Sequence, residues 1–193
     1  MRIAVFAYGS LVNAASVAQT LGTAAGAPIP AELTGWRRRW SLVRDNLSSE
    51  KTFARAGDGS VPPYVLALNL EPAPDRDDGP NGALIELDDA ALARLDLREL
   101  RYDRVDVTGQ LGVAGEAFDR VVTYTAKPES FAKEPPDGAV ILATYLSAVE
   151  AAFDALAPHA LDRWRETTDS PPVEVIKPVL VREHIPAGNP RQW

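Results

Sequence analysis

The sequence predicts an α+β fold: a mixed or antiparallel sheet, or a small mixed β-barrel, flanked by helices. Three observations carry this. Short apolar runs alternate with glycine- and proline-bearing segments through the first two thirds of the chain. The connections between them are loops rather than regularly spaced crossover helices, which argues against a doubly wound α/β sheet. The clearest helical periodicity comes late, at residues 139–158. The 193 residues carry no internal repeat and no compositional break that would mark a linker. A single domain over 1–193 is therefore expected, since one core commonly serves roughly 100–200 residues.

The elements follow in order. Residues 3–6 form a short buried strand, stopped by the glycine of Tyr8-Gly9-Ser10, and residues 12–21 read as a helix or turn closed by Gly22. Residues 31–43 are extended, and the period of two puts Trp36, Arg38 and Trp40 on one face with Arg37 and Arg39 on the other. The polar stretch 44–63, ending in Pro62-Pro63, is a loop, and residues 64–70 resume as a strand. A second loop over 71–82 leads to the strand 83–87. Asp88 and Asp89 then cap a helix with Leu92 and Leu95 on one face, ending near Arg98. Residues 102–107 make the next strand, followed by a glycine-bearing turn and the strand 117–125, which sets Val122 and Tyr124 on one face. After the proline-rich loop 127–138, the spacing of Leu142, Tyr145, Leu146, Val149, Phe153 and Leu156 marks an amphipathic helix that begins at Ala139 and runs to Pro158. A short helical piece over 161–165 precedes the segment 173–181, which Pro178 confines to an edge strand or a bulge. The last eight residues fit no element.

Composition narrows the chemistry. Hydrophobic residues make up 46% and charged residues 24%, the balance of a globular chain with a sizeable core. Acidic side chains outnumber basic ones 27 to 20, for a net charge of −7, which works against nucleic acid and anionic membranes as partners. With no cysteine there is no disulfide framework, thiolate metal site or cysteine nucleophile, a composition that fits the cytoplasm. The only histidines, His159 and His184, leave little room for a multi-histidine metal site, and no G-x-S-x-G motif is present. Five apolar residues at 3–7 are too few for a signal peptide, and no apolar run reaches the length of a membrane span.

Three places could carry function. In Phe6-Ala7-Tyr8-Gly9-Ser10-Leu11, glycine allows a close backbone approach, and consecutive N–H groups with the Ser10 hydroxyl could receive a carboxylate or oxyanion. The plain alternative is an ordinary strand-to-helix turn. Glu99 falls between a helix and a strand, beside Arg98, Arg101 and Arg104. Burial favours the neutral carboxyl and would suit it to pass a proton both ways, whereas pairing with one of these arginines would favour the charged form again; the alternative is a solvated charge cluster. The stripe from Trp36 to Trp40 could in principle stack bases, but the net charge favours tryptophans packed inward and arginines paired with the acidic surplus.

Taken together, Phe6-Ala7-Tyr8-Gly9-Ser10-Leu11, Gly35-Trp36-Arg37-Arg38-Arg39-Trp40, Asn81-Gly82-Ala83-Leu84-Ile85-Glu86-Leu87, Leu95-Asp96-Leu97-Arg98-Glu99 and Tyr102, in that order, resemble the gamma-glutamylcyclotransferase-like superfamily. The resemblance covers about residues 3–127, and beyond it only a late helix with a tyrosine, Tyr145, matches. Some members carry asparagine after the serine, where this chain has Leu11. The resemblance implies a small mixed β-barrel or sheet with helices around it. It also implies a cofactor-free, metal-free reaction that turns a γ-glutamyl amine, amino acid or peptide into 5-oxoproline and a free amine. Glu99 would then be the acid/base, Tyr8, Gly9, Ser10 and Leu11 would bind the glutamyl part, and Tyr102 and Tyr145 would complete the pocket. A member of the same fold that binds a small molecule with changed or lost chemistry is the other reading.

Overall fold

The computed structural model describes residues 1–21, 26–76 and 78–185. Its centre is β1 (Ile3–Ala7), five consecutive buried residues. A strand with neighbours on both sides and cover on both faces reads as a continuous apolar run, and β1 has both neighbours. It pairs antiparallel with β6 (Asn81–Leu87) and parallel with β8 (Arg120–Ala126), inside a five-stranded sheet completed by β2 (Ile29–Glu32) next to β6 and β7 (Tyr102–Asp106) next to β8. A second sheet runs in the order β10 (Val175–Ile176), β9 (Ala139–Leu142), β5 (Tyr64–Pro72), β3 (Trp36–Asp45). Asn69 of β5 links the two sheets, donating to Ser41 Oγ at 3.1 Å and accepting from the Ala126 N–H at 2.7 Å. The third sheet is the ribbon of β4 (Lys51–Arg55) and β11 (Pro178–Glu183). Among the described residues these pairings do not close into a barrel, so the sheet form of the expectation holds.

Helices cover the sheets. After a single 3-10 turn at Ser10–Val12 comes α1 (Ala14–Leu21), which packs on α2 (Asp89–Arg98). Asp88 caps α2 as expected, its Oδ1 accepting from the Ala91 N–H at 2.7 Å, and Ala91, Leu92, Leu95 and Arg98 form the buried face. A short α3 (Gly112–Glu116) precedes β8, and α4 (Ala143–Leu156) packs on α5 (Ala160–Glu166) and on the 3-10 turn.

Three local readings are corrected and a fourth is refined. The loop expected over 44–63 contains β4, which pairs with β11 more than a hundred residues away and buries Thr52 and Ala54 rather than large apolar side chains. Residues 139–142 are strand and not the start of the helix; four consecutive buried apolar residues suit a parallel strand between β5 and β10. The extended stretch 31–43 is two strands, split at Gly35, whose φ of 79° suits a turn. The 173–181 segment does form edge strands, but as two rather than one: it divides before Pro178, which opens β11, and the bulge lies further on, between Leu180 and Arg182. Gly22 and the last eight residues lie outside the described residues.

Candidate active site

The turn after β1 approaches α4 closely. A side chain on Gly9 would place its Cβ 3.2 Å from the Tyr145 hydroxyl and 3.7 Å from Leu68 Cδ1, so glycine keeps this space open. Behind the turn Tyr8 is buried, its hydroxyl donating to the Tyr124 carbonyl at 2.7 Å. Burial pushes the Tyr8 phenol well above its ordinary pKa, with Tyr145 and Glu99 acting in the same direction, so it serves as a neutral hydrogen-bonding group. The Tyr124 phenol is raised as well, first by burial and then by its 2.7 Å hydrogen bond to Asp96 Oδ1.

Glu99 sits where α2 gives way to β7. Its N–H donates to the Leu95 carbonyl and its own carbonyl accepts from the Tyr102 N–H, both at 2.9 Å, so the chain turns from helix to strand within four residues. The carboxylate is 10% exposed, and its Oε1 lies 3.2 Å from Nε of Arg98, which is 5% exposed. Arg98 in turn donates to the Ser16 carbonyl at 2.8 Å, and to Thr20 Oγ1 and Ser16 Oγ at 2.7 Å each, which pins the end of α2 onto α1. Of the three arginines near Glu99 in sequence, Arg98 is its partner. Arg101 grips Glu50 with two hydrogen bonds of 3.0 and 2.6 Å, and Arg104 pairs with the half-exposed Asp96 at 3.0 Å. The solvated-cluster alternative thus describes Asp96 and Arg104 but not Arg98 and Glu99.

Two cavities meet at this carboxylate. An inner recess of about 30 Å³ is bounded by Tyr8, Gly9, Ser10, Leu11, Leu68, Glu99, Tyr102, Tyr124 and Tyr145, so all seven residues singled out from sequence line one small space. An outer cavity of about 500 Å³ shares Ser10, Glu99, Tyr102 and Tyr145 with it and continues over Leu42, Phe53, Leu66 and Leu142 to Arg44 and Lys51. Tyr102 and Tyr145 are set by one residue of β5: the Tyr102 hydroxyl donates to the Leu68 carbonyl at 2.8 Å, and the Leu68 N–H donates to the Tyr145 hydroxyl at 3.4 Å. Sequence reasoning missed Leu68 and Tyr124 in the wall and Arg38 behind it. The period of two in β3 did place Arg38 on the buried face between two tryptophans, and that was the available signal.

Such an arrangement suits proton transfer by one carboxylate opposite a turn that can receive negative charge on oxygen. Among the described residues no group of three or more His, Cys, Asp or Glu side chains is placed to hold a metal ion, and no helix is long and apolar enough to cross a membrane.

No family model matches the chain and no curated protein matches it. Solved structures do. A protein described as a gamma-glutamyl cyclotransferase superposes with a TM-score of 0.60 at 11% identity, over 91% of this chain and 94% of that one. A human protein described as uncharacterised gives 0.60 at 12% identity, over 90% and 93%. A yeast gamma-glutamyl cyclotransferase specific to glutathione gives 0.53 at 16% identity, over 86% and 97%. Likeness at such low identity is a likeness of fold, and the chain has the gamma-glutamylcyclotransferase-like fold.

Proposed function

We propose that the protein is a cofactor-free gamma-glutamylcyclotransferase-type enzyme, converting a γ-glutamyl amine, amino acid or peptide to 5-oxoproline and the free amine. The observation that supports this best is the meeting of Glu99 and the Tyr8-Gly9-Ser10-Leu11 turn in one recess that opens into a larger cavity. The tip of the glutamyl group, a carboxylate or carbonyl oxygen, enters the recess, the rest of the glutamyl chain lies at its mouth, and the group to be released occupies the outer cavity. The scissile amide then lies at their junction, beside Glu99, Ser10, Tyr102 and Tyr145.

The reaction is an internal displacement. The substrate's α-nitrogen attacks its own γ-carbonyl carbon, the ring N–C bond forms, and the π electrons move onto oxygen. The tetrahedral anion collapses and breaks the bond to the departing nitrogen. The α-nitrogen starts as an ammonium and ends as a lactam N–H, so it sheds two protons. The departing nitrogen starts as an amide N–H and ends as an ammonium, so it takes two. A single carboxylate within reach of both nitrogens passes protons between them and is unchanged at the end, and Glu99 fills that role. Folding the glutamyl chain back on itself is a positioning problem, and the Tyr8 to Leu11 turn supplies both the surface and the donors for the oxyanion.

The test is to incubate the protein with γ-glutamyl dipeptides, glutathione and γ-glutamyl amines and to follow 5-oxoproline by mass spectrometry, with Glu99→Gln beside the wild type. Release that disappears in the folded variant supports the reading. Absence of release across the panel, with ligand binding retained, replaces it with a binding protein on the same fold.

A further inference from the structure

Arg38 has no exposed surface and is the largest side chain in that class. Its guanidinium donates through Nη1 to the Tyr8 carbonyl at 2.9 Å and the Asn81 carbonyl at 2.8 Å. Nη2 reaches Asn81 Oδ1 at 2.9 Å and Thr167 Oγ1 at 3.1 Å, and Nε reaches Thr168 Oγ1 at 2.7 Å. The two threonine hydroxyls donate onward to the Arg163 and Trp164 carbonyls, and the rings of Phe153 and Trp164 lie 5.0 and 5.6 Å from the guanidinium carbon. None of these partners is a carboxylate.

A buried cation without a counter-ion costs several kcal/mol even when its donors are satisfied, so a negative group bound nearby would offset that cost. The place for the complementary charge follows from the first contact. In a trans peptide the carbonyl and the next N–H point in opposite directions, so Arg38 holding the Tyr8 carbonyl turns the Gly9 N–H away from itself. Gly9 lines the recess. A charged donor on the carbonyl also polarises the peptide and strengthens that N–H as a donor.

We propose that Arg38 is a positioning residue for an anion in the recess, fixing the Tyr8–Gly9 peptide as a donor and lending its charge to the negative group bound there. The proposed reaction is the basis for naming that anion: the substrate carboxylate, or the oxyanion formed at the γ-carbonyl. A carboxylate bound in the ground state makes loss of Arg38 appear in KM, and an oxyanion makes it appear in kcat.

Lysine at this position gives the discriminating test. Burial lowers the Arg38 pKa from 12.5 to about 9, with Tyr145 and Tyr8 opposing and Arg163 assisting, so the wild-type side chain is a cation at neutral pH. The same drop applied to lysine, ordinarily at ~10.4, puts its titration near neutrality. Tyr8, Tyr145 and Arg163 are the titratable groups facing the position. Arg38→Lys is compared with the wild type across about pH 5.5 to 8, with folding checked by circular dichroism, reading 5-oxoproline release and binding of 5-oxoproline by NMR titration. The variant is expected to lose about 10–100-fold in kcat/KM or affinity, the range for losing a hydrogen bond to a charged group, with the deficit shrinking as pH falls and the lysine charges. A merely structural arginine gives a ratio of variant to wild type that does not change with pH.

Thr168→Val keeps the guanidinium and removes the acceptor of Nε, and decides the matter if the lysine variant does not fold: a smaller loss of the same kind is expected. Wild-type kinetics and binding in the folded variants overturn the proposal while leaving the reaction in place. Binding of 5-oxoproline that depends on Arg38, without turnover of any γ-glutamyl compound, keeps the proposal and overturns the reaction. No binding and no turnover by the wild type overturns both.

Discussion

A single methyl group at Gly9 tests whether the recess is where the glutamyl group binds. In Gly9→Ala the new Cβ stands 3.2 Å from the Tyr145 hydroxyl and 3.7 Å from Leu68 Cδ1, both of which line the recess. Relief needs a shift of a few tenths of an ångström by the tip of a tyrosine, which also loosens the 3.4 Å contact from the Leu68 N–H. The stability cost is therefore about 1 kcal/mol, the low end for overpacking. The ligand faces a larger effect. The recess offers only about 30 Å³, where a water-sized group needs roughly 10–15 Å³, so a methyl group at its wall takes a large share of the space. Filling a fitted pocket by one such group costs about 1–3 kcal/mol in discrimination, or roughly 10–200-fold in kcat/KM. Gly57→Ala is the control, since its Cβ would meet nothing within 4 Å. Thermal unfolding and 5-oxoproline release are measured for both variants. Wild-type kcat/KM and 5-oxoproline affinity in a folded Gly9→Ala protein would refute the assignment of the glutamyl group to this recess.

Replacing Arg98 by methionine leaves the buried Glu99 carboxylate without its ion partner, an expected loss of about 3–5 kcal/mol, and adding Glu99→Gln recovers much of the loss; urea unfolding of the two variants checks this. Gly82→Ala sets a Cβ 2.2 Å from the Ala7 carbonyl oxygen, where β6 is paired to β1, so neither strand can yield cheaply. A loss of about 3 kcal/mol or more is expected in thermal denaturation. Asp88→Ala removes the cap of α2 at a cost of about 1 kcal/mol, with kcat/KM unchanged, because Asp88 does not line either cavity.

Apart from β4 and the break between β2 and β3, the strands through β8 were legible because they are apolar and bounded by glycine, proline or a cap, and the seven residues that line the recess were singled out because a resemblance joined local patterns that are ambiguous singly. The failures share a cause. Residues 51–55 carry an alternating pattern, but the inward side chains are threonine and alanine, and the partner strand is remote in sequence. Residues 139–142 run straight into an amphipathic helix, so one apolar stretch serves two periods and the longer one dominated. Arg37 and Arg39 pair with Glu71, and Arg39 also with Asp169, as the acidic surplus suggests. Arg38, flanked by the same residue types, is wholly buried. Its face was set by periodicity, but its environment depends on Tyr8, Asn81, Thr167 and Thr168, which meet only in the folded chain.

The two buried arginines set up an asymmetry that matters for the proposed chemistry. Arg98 carries its compensating charge in Glu99, and that pair is tied to α1 through Ser16 and Thr20, so the carboxylate side of the recess is close to neutral. The partners of Arg38 among the described residues are neutral oxygens and ring faces, so the Tyr8 side is left positive. A substrate with an ammonium and a carboxylate at one end is oriented by such a field: the ammonium towards Glu99, the carboxylate or the later oxyanion towards the turn. The low dielectric of a recess walled by Tyr8, Leu68, Tyr124 and Tyr145 strengthens this bias relative to water. Orientation of this kind places the amine beside its proton acceptor before the ring closes, the geometric condition that an internal displacement most needs.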